Sequence, residues 1–176
     1  MTELWVFGYG SLIWRPGFPY LERRTSRLIG AHRALCVYSW VHRGAPDHPG
    51  LVLGLDRGGA CRGVAFRVAA AERDSVLAYL REREQVTSVY LEKFREIRFA
   101  GGSSAQALTY VVDRSHGQYA GKLDEDTQFR IVSAAHGRSG ANIDYVVNTA
   151  EHLAELGMAD PLLDRLARRL KALQFA

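Results

Sequence analysis

Near its start the chain carries an apolar run that is interrupted by two glycines, in the segment Val6-Phe7-Gly8-Tyr9-Gly10-Ser11. The β-branched and aromatic residues of this run favour a strand, whereas glycine weakens a strand interior. Glycine is kept mainly where the backbone bends, adopts positive φ or lets another group approach closely. We therefore expect a strand followed by a loop, and a ligand as the approaching group.

The Gly8-Tyr9-Gly10-Ser11 loop has the composition of an anion site. Successive backbone N–H groups can surround a carboxylate, and the Ser11 hydroxyl adds a donor. The loop matches neither the phosphate-loop pattern nor the dinucleotide-binding pattern, whose third glycine is absent here. A simple strand-ending turn is the alternative interpretation.

Length and composition are those of an ordinary globular protein, and we expect residues 1–176 to form a single domain. A chain of 176 residues with 47% hydrophobic and 24% charged residues can bury a substantial core. No signal-peptide pattern is seen, and no apolar run approaches the roughly 20 residues that span a bilayer. We therefore expect a cytoplasmic protein without membrane contact.

The net charge of +4 suits an anionic partner. Nucleic-acid-binding proteins usually gather Lys and Arg on one face, whereas here the basic residues are scattered along the chain. This distribution argues against a nucleic-acid partner and is compatible with a small anionic substrate.

The cysteines and histidines do not predict a metal site. Cys36 and Cys61 lie in apolar surroundings without metal or redox spacing, which predicts buried reduced thiols. His42 and His48 occur in a turn-rich loop, where surface histidines are the ordinary interpretation. Arg43 in the same loop is a candidate for gripping a carboxylate through two hydrogen bonds, and a surface arginine is the alternative.

The order of predicted elements, strands first and helices last, indicates an α+β fold. Strands are predicted over 4–7, 33–40, 50–55, 61–68, 91–99 and 105–112, and helices over 71–84, 124–136, 143–156 and after Asp160. Gly137 and Gly157 are expected to end the second and third helices. Asp160 and Pro161 are expected to begin the last one.

The first predicted helix ends in Arg81-Glu82-Arg83-Glu84. A solvated, salt-bridged helix end is the ordinary interpretation of such a run. The position of Glu84 favours a catalytic interpretation, because an anion is disfavoured near the negative pole of the helix macrodipole. Together with burial, this position would raise a carboxyl pKa from about 4.3 toward the range of a general base.

A polar loop over 137–142 joins two predicted helices. Asn142 is a natural N-cap for the second of them. Tyr145, on its first turn, either belongs to the core or directs its hydroxyl into a pocket. Nucleophilic catalysis has less support, because Ser11 and both cysteines lack any sequence sign of an activating His and acid pair.

Together these segments resemble the ChaC-like γ-glutamylcyclotransferase family. The resemblance spans residues 5 to 150 in family order and rests on the opening segment Trp5 to Trp14, His42-Arg43-Gly44-x-Pro46, Gly63 to Arg67, Tyr79-Leu80-x-x-Arg83-Glu84, and Ser139-Gly140 with Asn142 and Tyr145. Many relatives carry Gly-Gly-Tyr after the glutamate, where this chain has Ser88-Val89-Tyr90. This departure bears on loop flexibility and substrate fit, and it leaves Glu84 in place.

The resemblance implies a small mixed β-barrel surrounded by helices, with a helical C-terminal third. It also implies a lyase that acts on glutathione, releases 5-oxoproline and cysteinylglycine, and needs no metal or organic cofactor. Glu84 falls on the family's catalytic glutamate, the expected general base and then acid. The substrate-binding loop falls on Val6, Phe7, Gly8, Tyr9, Gly10 and Ser11.

Arg43 and Tyr145 are further candidates for substrate contact, and either is equally compatible with a structural role. Two other functions stay open. One is cyclisation of other γ-glutamyl amino acids or amines, and the other is a noncatalytic binding domain of the same fold. The oligomeric state is not predicted.

Overall fold

The computed structural model describes residues 2–85 and 88–175, and the chain forms two compact units. One unit comprises Met1–Ala34 with Gly54–His116, and the other Leu35–Leu53 with Gly117–Ala176. Two long strands, β2 (Glu22–Ser39) and β3 (Gly50–Val68), contribute residues to both units.

Five strands close into a barrel in the spatial order β1-β3-β2-β4-β5. The other three are β1 (Leu4–Gly8), β4 (Tyr90–Phe99) and β5 (Ser104–Val112). Because β1 pairs antiparallel with β3 and parallel with β5, the sheet is mixed. The expected α+β fold with a small mixed barrel is confirmed.

Two of the strand predictions need correction. The segments 50–55 and 61–68 belong to one continuous strand, because Gly58 and Gly59, at φ 100° and 69°, let the chain bend within it. The strand predicted over 33–40 begins much earlier, at Glu22. Its first residues are charged and mostly exposed, so they carry little of the apolar signal that marks a strand in sequence.

The barrel interior is filled by apolar side chains from all five strands. This interior cluster consists of Phe7, Leu28, Ala31, Leu55, Cys61, Ala65, Ile97, Phe99, Ala107 and Val111. Side chains alternate along each strand, so Val6 and Leu108, which are also fully buried, point to the opposite face of the sheet. Both cysteines are buried reduced thiols, as expected.

One helix belongs to the first unit. A short 3₁₀ turn at Ala70–Glu72 leads into α1 (Arg73–Glu84), which buries Val76 and Leu80. The helix ends at Glu84, with Gln85 as its C-cap, where the sequence predicts the end.

The second unit contains a small hairpin, β6 (His136–Gly137) with β7 (Gly140–Ala141), and three helices. They are α2 (Glu125–Ala134), α3 (Asn142–Glu155) and α4 (Pro161–Gln174). Asp160 caps α4 by accepting hydrogen bonds from two backbone N–H groups, as expected. No helix within residues 2–85 and 88–175 is both long and apolar enough to cross a membrane.

Gly157 ends α3 as predicted, and Gly137 does not end α2. Gly157 has φ 71°, and the next residue, Met158, donates to the carbonyl of Leu153, which closes the helix. By contrast, α2 ends at Ala134 and Gly137 lies in β6. A Cβ at Gly137 would lie 2.5 Å from the His42 carbonyl carbon, so close backbone approach explains this glycine.

Asn142 is not an N-cap, which corrects the sequence expectation. The N-cap of α3 is Ala141, and Asn142 is the first residue of the helix. Its buried amide instead accepts from the Leu51 N–H at 2.8 Å and donates to the Leu51 carbonyl at 2.9 Å. Asn142 therefore satisfies both backbone groups of a residue in β3.

Candidate active site

The glycine-containing segment leaves the barrel at the end of β1 and turns immediately. The N–H of Ile13 donates to the Gly10 carbonyl at 2.9 Å, and the N–H of Arg15 donates to the Ser11 carbonyl at 2.8 Å. Neither Gly8 nor Gly10 has positive φ. A Cβ at Gly8 would lie 3.1 Å from Leu12 Cβ, so this glycine allows the turn to pack closely on the strand end.

Two arginines hold this loop from either side of Gly10. Arg33 Nε donates to the Tyr9 carbonyl at 2.6 Å, and Arg83 Nη2 donates to Ser11 Oγ at 3.0 Å. Within the described residues, the amide N–H groups of Gly10 and Ser11 make no hydrogen bond. The loop therefore has two backbone donors that no described residue uses.

The side chain of Arg83 links the end of α1 to the chain that follows the loop. Its Nη1 donates to the Arg15 carbonyl at 2.7 Å, to the Pro16 carbonyl at 3.2 Å and to the Tyr79 hydroxyl at 3.1 Å. With only 21% of its side chain exposed, this guanidinium is fixed by several partners at once.

Glu84 is the largely buried carboxylate at the end of α1. Its side chain is 16% exposed, and Oε1 lies 3.5 Å from Arg83 Nε. Burial raises the pKa of Glu84, and the neighbouring Arg83 charge lowers it by a smaller amount. The interpretation as a solvated helix end is therefore wrong for Glu84, although it holds for the exposed Arg81 and Glu82.

A single guanidinium thus contacts both the predicted base and the predicted loop. Arg83 pairs with Glu84 through Nε and reaches Ser11 through Nη2. Residues far apart in the sequence are brought together here by one side chain. The arrangement places a proton acceptor and hydrogen-bond donors within the same part of the first unit.

A buried tyrosine lies in the electrostatic field of Glu84. Tyr110 on β5 donates to Glu92 Oε2 at 3.2 Å, and Arg81 holds the same carboxylate with two bonds of 2.9 Å. Burial, Glu92 and Glu84 together raise the pKa of Tyr110 well above its usual range, while hydrogen bonding to Arg81 lowers the pKa of Glu92. Tyr110 therefore stays a neutral hydroxyl at neutral pH.

The first two residues of the predicted substrate-binding segment are part of the core. Val6 is fully buried in β1, and Phe7 belongs to the interior cluster. Their side chains serve packing, and their predicted contact with substrate stays a prediction.

Arg43 and Tyr145 contact each other within the second unit. The Arg43 guanidinium carbon lies 5.6 Å from the centre of the Tyr145 ring, and Nη1 donates to the Ala141 carbonyl at 3.2 Å. The Tyr145 hydroxyl accepts from the Leu53 N–H at 2.9 Å. Both residues have structural partners, and their proposed contact with substrate stays a prediction.

The histidines of the 42–50 loop make ordinary polar contacts. A ring nitrogen of His42 lies 2.9 Å from Ser139 Oγ, and His48 lies 3.3 Å from the Asp47 carboxylate. Among residues 2–85 and 88–175, no group of three or more His, Cys, Asp or Glu side chains is arranged to hold a metal ion.

Ser88, where the sequence departs from the family motif, has an unusual backbone conformation. Ser88 adopts φ 60°, a left-handed conformation that favours glycine. A glycine would adopt it without strain, whereas a serine carries a cost of about 1 kcal/mol or more. The serine therefore makes this turn more strained than a glycine would.

Comparison with known proteins places the chain in a family. The model of the ChaC-like protein family matches residues 4–173. The chain belongs to the ChaC-like family. This ChaC-like chain is 33% identical to the glutathione-specific γ-glutamylcyclotransferase of Escherichia coli, over 97% of its own length and 74% of that protein. It is 34% identical to glutathione-specific γ-glutamylcyclotransferase 1 of Homo sapiens, over 88% of its length and 71% of the human protein.

Two further relatives complete the comparison. γ-Glutamylcyclotransferase 2-3 of Arabidopsis thaliana is 34% identical, over 96% of the ChaC-like chain and 88% of the plant protein. Among solved structures, the yeast γ-glutamyl cyclotransferase specific to glutathione superposes with a TM-score of 0.86, at 21% identity over 98% of this chain and 97% of the yeast chain. This structural likeness supports the fold.

Sequence reasoning about the ChaC-like chain missed Arg33, Arg83 and Tyr110 as members of the site. In the sequence, Arg83 belongs to a charged run and to the Tyr79-Leu80-x-x-Arg83-Glu84 motif, neither of which indicates its contact with Ser11, and Arg33 is one residue of a predicted strand. For Tyr110, a signal was available, since a tyrosine buried in a strand usually needs a hydrogen-bond partner.

Proposed function

We propose that this chain cyclises the γ-glutamyl group of glutathione and releases 5-oxoproline and cysteinylglycine, with Glu84 as general base and then general acid. The observation that carries the chemistry is the buried Glu84 carboxylate, which Arg83 joins to the loop at Ser11. The names of the relatives from E. coli and human support glutathione as the substrate.

The reaction begins with removal of a proton. The α-amine of a γ-glutamyl group is an ammonium near neutral pH and cannot attack a carbonyl. Glu84 accepts its proton, and because burial raises the pKa of this carboxyl, the transfer is less unfavourable than it would be to an exposed glutamate. The freed amine then attacks the γ-carbonyl carbon of the same molecule.

The second step breaks the amide bond to cysteine. A new N–C bond closes the five-membered lactam, and the C–N bond to the leaving cysteinylglycine opens. The departing nitrogen takes the proton that Glu84 had accepted, so that the carboxylate is restored. The ring nitrogen still carries one proton more than the lactam, and this proton passes to the leaving amine, which departs as an ammonium. Acid and base catalysis of this kind typically contributes about 10² to 10⁴ in rate.

The loop supports this chemistry by holding the substrate in a folded conformation. The amide N–H groups of Gly10 and Ser11 are candidate donors to the α-carboxylate or to the γ-carbonyl oxygen, where negative charge grows. Arg33 and Arg83 fix the loop, so little reorganisation is needed when that charge develops. Intramolecular attack then benefits from a high effective molarity.

The test is incubation of the purified chain with reduced glutathione, with 5-oxoproline and cysteinylglycine measured by mass spectrometry. Equimolar release of both products is expected from the wild-type protein. Glu84→Gln should lower the turnover number by about 10²-fold or more, because the proton acceptor is lost. The matched control is Glu82→Gln on the exposed side of the same helix end, which should leave turnover near wild type.

A parallel assay with γ-glutamyl-alanine separates the substrate alternatives. Faster turnover of that compound than of glutathione would indicate that other γ-glutamyl amino acids are the preferred substrates. The name of the Arabidopsis relative, which does not specify glutathione, makes this comparison relevant. Failure to form 5-oxoproline from either compound would indicate a noncatalytic binding domain.

A further inference from the structure

One face of β4 carries both interior residues of the barrel and charged side chains. Ile97 and Phe99 of β4 belong to the interior cluster. Since side chains alternate along a strand, Lys93 and Arg95 point to the same face. The pairing agrees, because Arg95 lies opposite the interior residue Ala107 on β5. One end of the barrel interior therefore carries positive charge.

A cavity of about 280 Å³ opens beside these side chains, and we call it the β4 cavity. Its apolar lining, which we call the floor, consists of the buried Ala31, Leu55, Val111 and Val112 and the exposed Leu91. Arg57 of β3 adds a further cation to its lining. All of these residues belong to the first unit.

The cavity lies beyond the described pairs of β2 with β4. Between β2 and β4, the described ladder pairs Ser26–Leu28 with Ile97–Phe99, whereas β4 pairs with β5 from Tyr90 to Arg98. Gly30 of β2, which lines the cavity, has φ 94° and interrupts the regular strand conformation just beyond the last pair. The first half of β4 thus has no described pair with β2, and the cavity lies beside it.

The cations of the β4 cavity have no partners in the described chain. The side chains of Arg57, Lys93 and Arg95 form no ion pair or hydrogen bond there. The neighbouring acids are engaged elsewhere, in the pairs Glu92 with Arg81, Glu96 with Arg98, and Asp56 with Arg114. Three like charges around one cavity repel each other, and an anion between them would relieve that repulsion.

Two more charged residues line the cavity, and both are already bonded. Arg114 donates to Asp56 at 2.7 Å. Asp113, an acid, accepts from the N–H of Ser115 at 2.9 Å and from its hydroxyl at 2.6 Å. The net charge of the lining is therefore positive, and its available donors are those of Arg57, Lys93 and Arg95.

The β4 cavity is distinct from the proposed catalytic site. Glu92, the residue before Lys93, points to the other face of β4, where it bonds Arg81 of α1 and Tyr110 of β5. Tyr110 on that face senses the charge of Glu84. The cavity and the Glu84 side of the sheet are thus separated by the β4 and β5 strands.

We propose that the β4 cavity binds a small organic phosphate, a phosphate group carried on an apolar body. Guanidinium groups match the oxygens of a phosphate in pairs, which favours Arg57 and Arg95 as its ligands. The apolar floor shields the organic part from water, and the mouths of barrels are common places for such sites. This site is independent of the cyclisation proposed above.

The experiment is a titration of the full isotopically labelled chain with adenosine 5′-monophosphate, followed through backbone amide resonances. Saturating shifts are expected at Leu91, Lys93, Arg95 and Val111. Replacing Lys93 and Arg95 together by Gln should weaken binding by about tenfold or more, because charge-assisted hydrogen bonds are lost. Both side chains are exposed, so the fold is retained.

The matched control removes two positive charges from the same sheet outside the cavity. Arg23 and Arg27 are exposed residues of β2, and Arg23→Gln with Arg27→Gln changes the net charge by the same amount. This variant should bind adenosine 5′-monophosphate within about twofold of wild type, because distant exposed charges are screened by salt. Equal weakening in both double variants would reduce the effect to net charge and overturn the proposal.

Three other probes separate the contributions of the cationic side chains and of the apolar floor to binding. Adenosine lacks the phosphate and inorganic phosphate lacks the apolar body, so each should bind more weakly than adenosine 5′-monophosphate. Citrate, a carboxylate anion, should also bind more weakly. The proposal fails if adenosine or citrate binds as tightly, if no shift saturates, or if the shifts centre on residues 8–11.

Discussion

The guanidinium of Arg83 donates a hydrogen bond to the Ser11 hydroxyl at 3.0 Å while its Nε lies 3.5 Å from the Glu84 carboxylate. The first contact fixes the loop, and the second places a positive charge beside the proposed base. Arg83 thereby couples the position of the substrate-holding loop to the acidity of Glu84. We assign it a positioning role, because it acts through these two groups.

Arg83→Gln should lower kcat/KM by about 10- to 100-fold, since hydrogen bonds to a charged group contribute about 1.5 to 3 kcal/mol each. Its charge lowers the pKa of Glu84, so losing it raises that pKa further. Glu84 must be ionised to accept a proton, and the acid limb of the pH profile should therefore shift to higher pH. The measurement is kcat/KM for glutathione as a function of pH.

Arg83→Lys is the informative companion variant. Lysine keeps the positive charge and loses the planar fork, so the rate should fall while the acid limb stays close to that of wild type. Arg73→Gln, at the other end of α1, is the matched control and should change neither quantity. A shift of the acid limb in Arg83→Lys as large as in Arg83→Gln would contradict the role given to the charge.

Glu84→Gln should stabilise the protein near neutral pH while it removes activity. Burial raises the pKa of Glu84 in the folded state above its unfolded value of about 4.3. The folded state therefore loses stability relative to the unfolded chain as pH rises from about 4 through the folded pKa, where the buried carboxyl ionises. Gln has no such charge. The stability of Glu84→Gln relative to wild type should therefore grow from about pH 4 to the folded pKa of Glu84 and then level off.

Urea denaturation of the two proteins at a series of pH values measures this difference. Glu82→Gln is the control for the loss of one negative charge from an exposed position of the same helix. If Glu84→Gln were less stable than wild type at pH 7 and equal to it at pH 4, burial would not be what sets the acidity of Glu84.

Gly63→Ala should destabilise the protein and impair turnover, because this glycine faces the end of β1. A Cβ there would lie 2.6 Å from Phe7 Cζ and would collide with the Gly8 carbonyl oxygen. Relieving such overpacking typically costs about 1 to 3 kcal/mol, and here it displaces the backbone at the start of the loop. Thermal denaturation and glutathione turnover are the two measurements.

Gly101→Ala is the control for Gly63→Ala. Gly101 lies in the turn between β4 and β5, where no atom would come within 4 Å of an added Cβ. This variant should stay within about 0.5 kcal/mol of wild type, as is usual for surface substitutions. A Gly63→Ala protein as active and as stable as Gly101→Ala would contradict the close packing at Gly8.

Local sequence patterns predict much of this fold. The apolar face of α1, the cap at Asp160 and the glycine at 157 each depend on residues a few positions apart, and each prediction is confirmed. The family resemblance, carried by short motifs, places Glu84 at the helix end. The pKa of Glu84 is raised, as the sequence predicts, and the cause is its burial.

Other features depend on contacts that no local pattern contains. The loop is held by Arg83 across 72 positions and by Arg33 across 24 positions. The Gly58-Gly59 pair is typical of a turn in sequence. Whether such a pair ends a strand or bends it depends on pairing with distant strands. Asn142 has the composition of a cap, but the backbone of Leu51 competes for its amide. Tertiary structure decides such cases.

Asn142→Asp should be among the most destabilising single substitutions in the second unit. The Asn142 amide satisfies both the N–H and the carbonyl of Leu51, and the residue is completely buried. A carboxylate can still accept from the N–H, but it repels the carbonyl and leaves that oxygen unsatisfied. An unsatisfied buried polar group costs about 1 to 3 kcal/mol, and burying the charge adds to this.

Urea denaturation at pH 7 and pH 4 tests this prediction, with Asn148→Asp on the exposed face of the same helix as the matched control. The control should unfold close to wild type at both pH values. The deficit of Asn142→Asp should shrink at the lower pH, because a protonated carboxyl can again donate to the Leu51 carbonyl. Equal stability of the two variants at pH 7 would show that the paired contact with Leu51 contributes nothing.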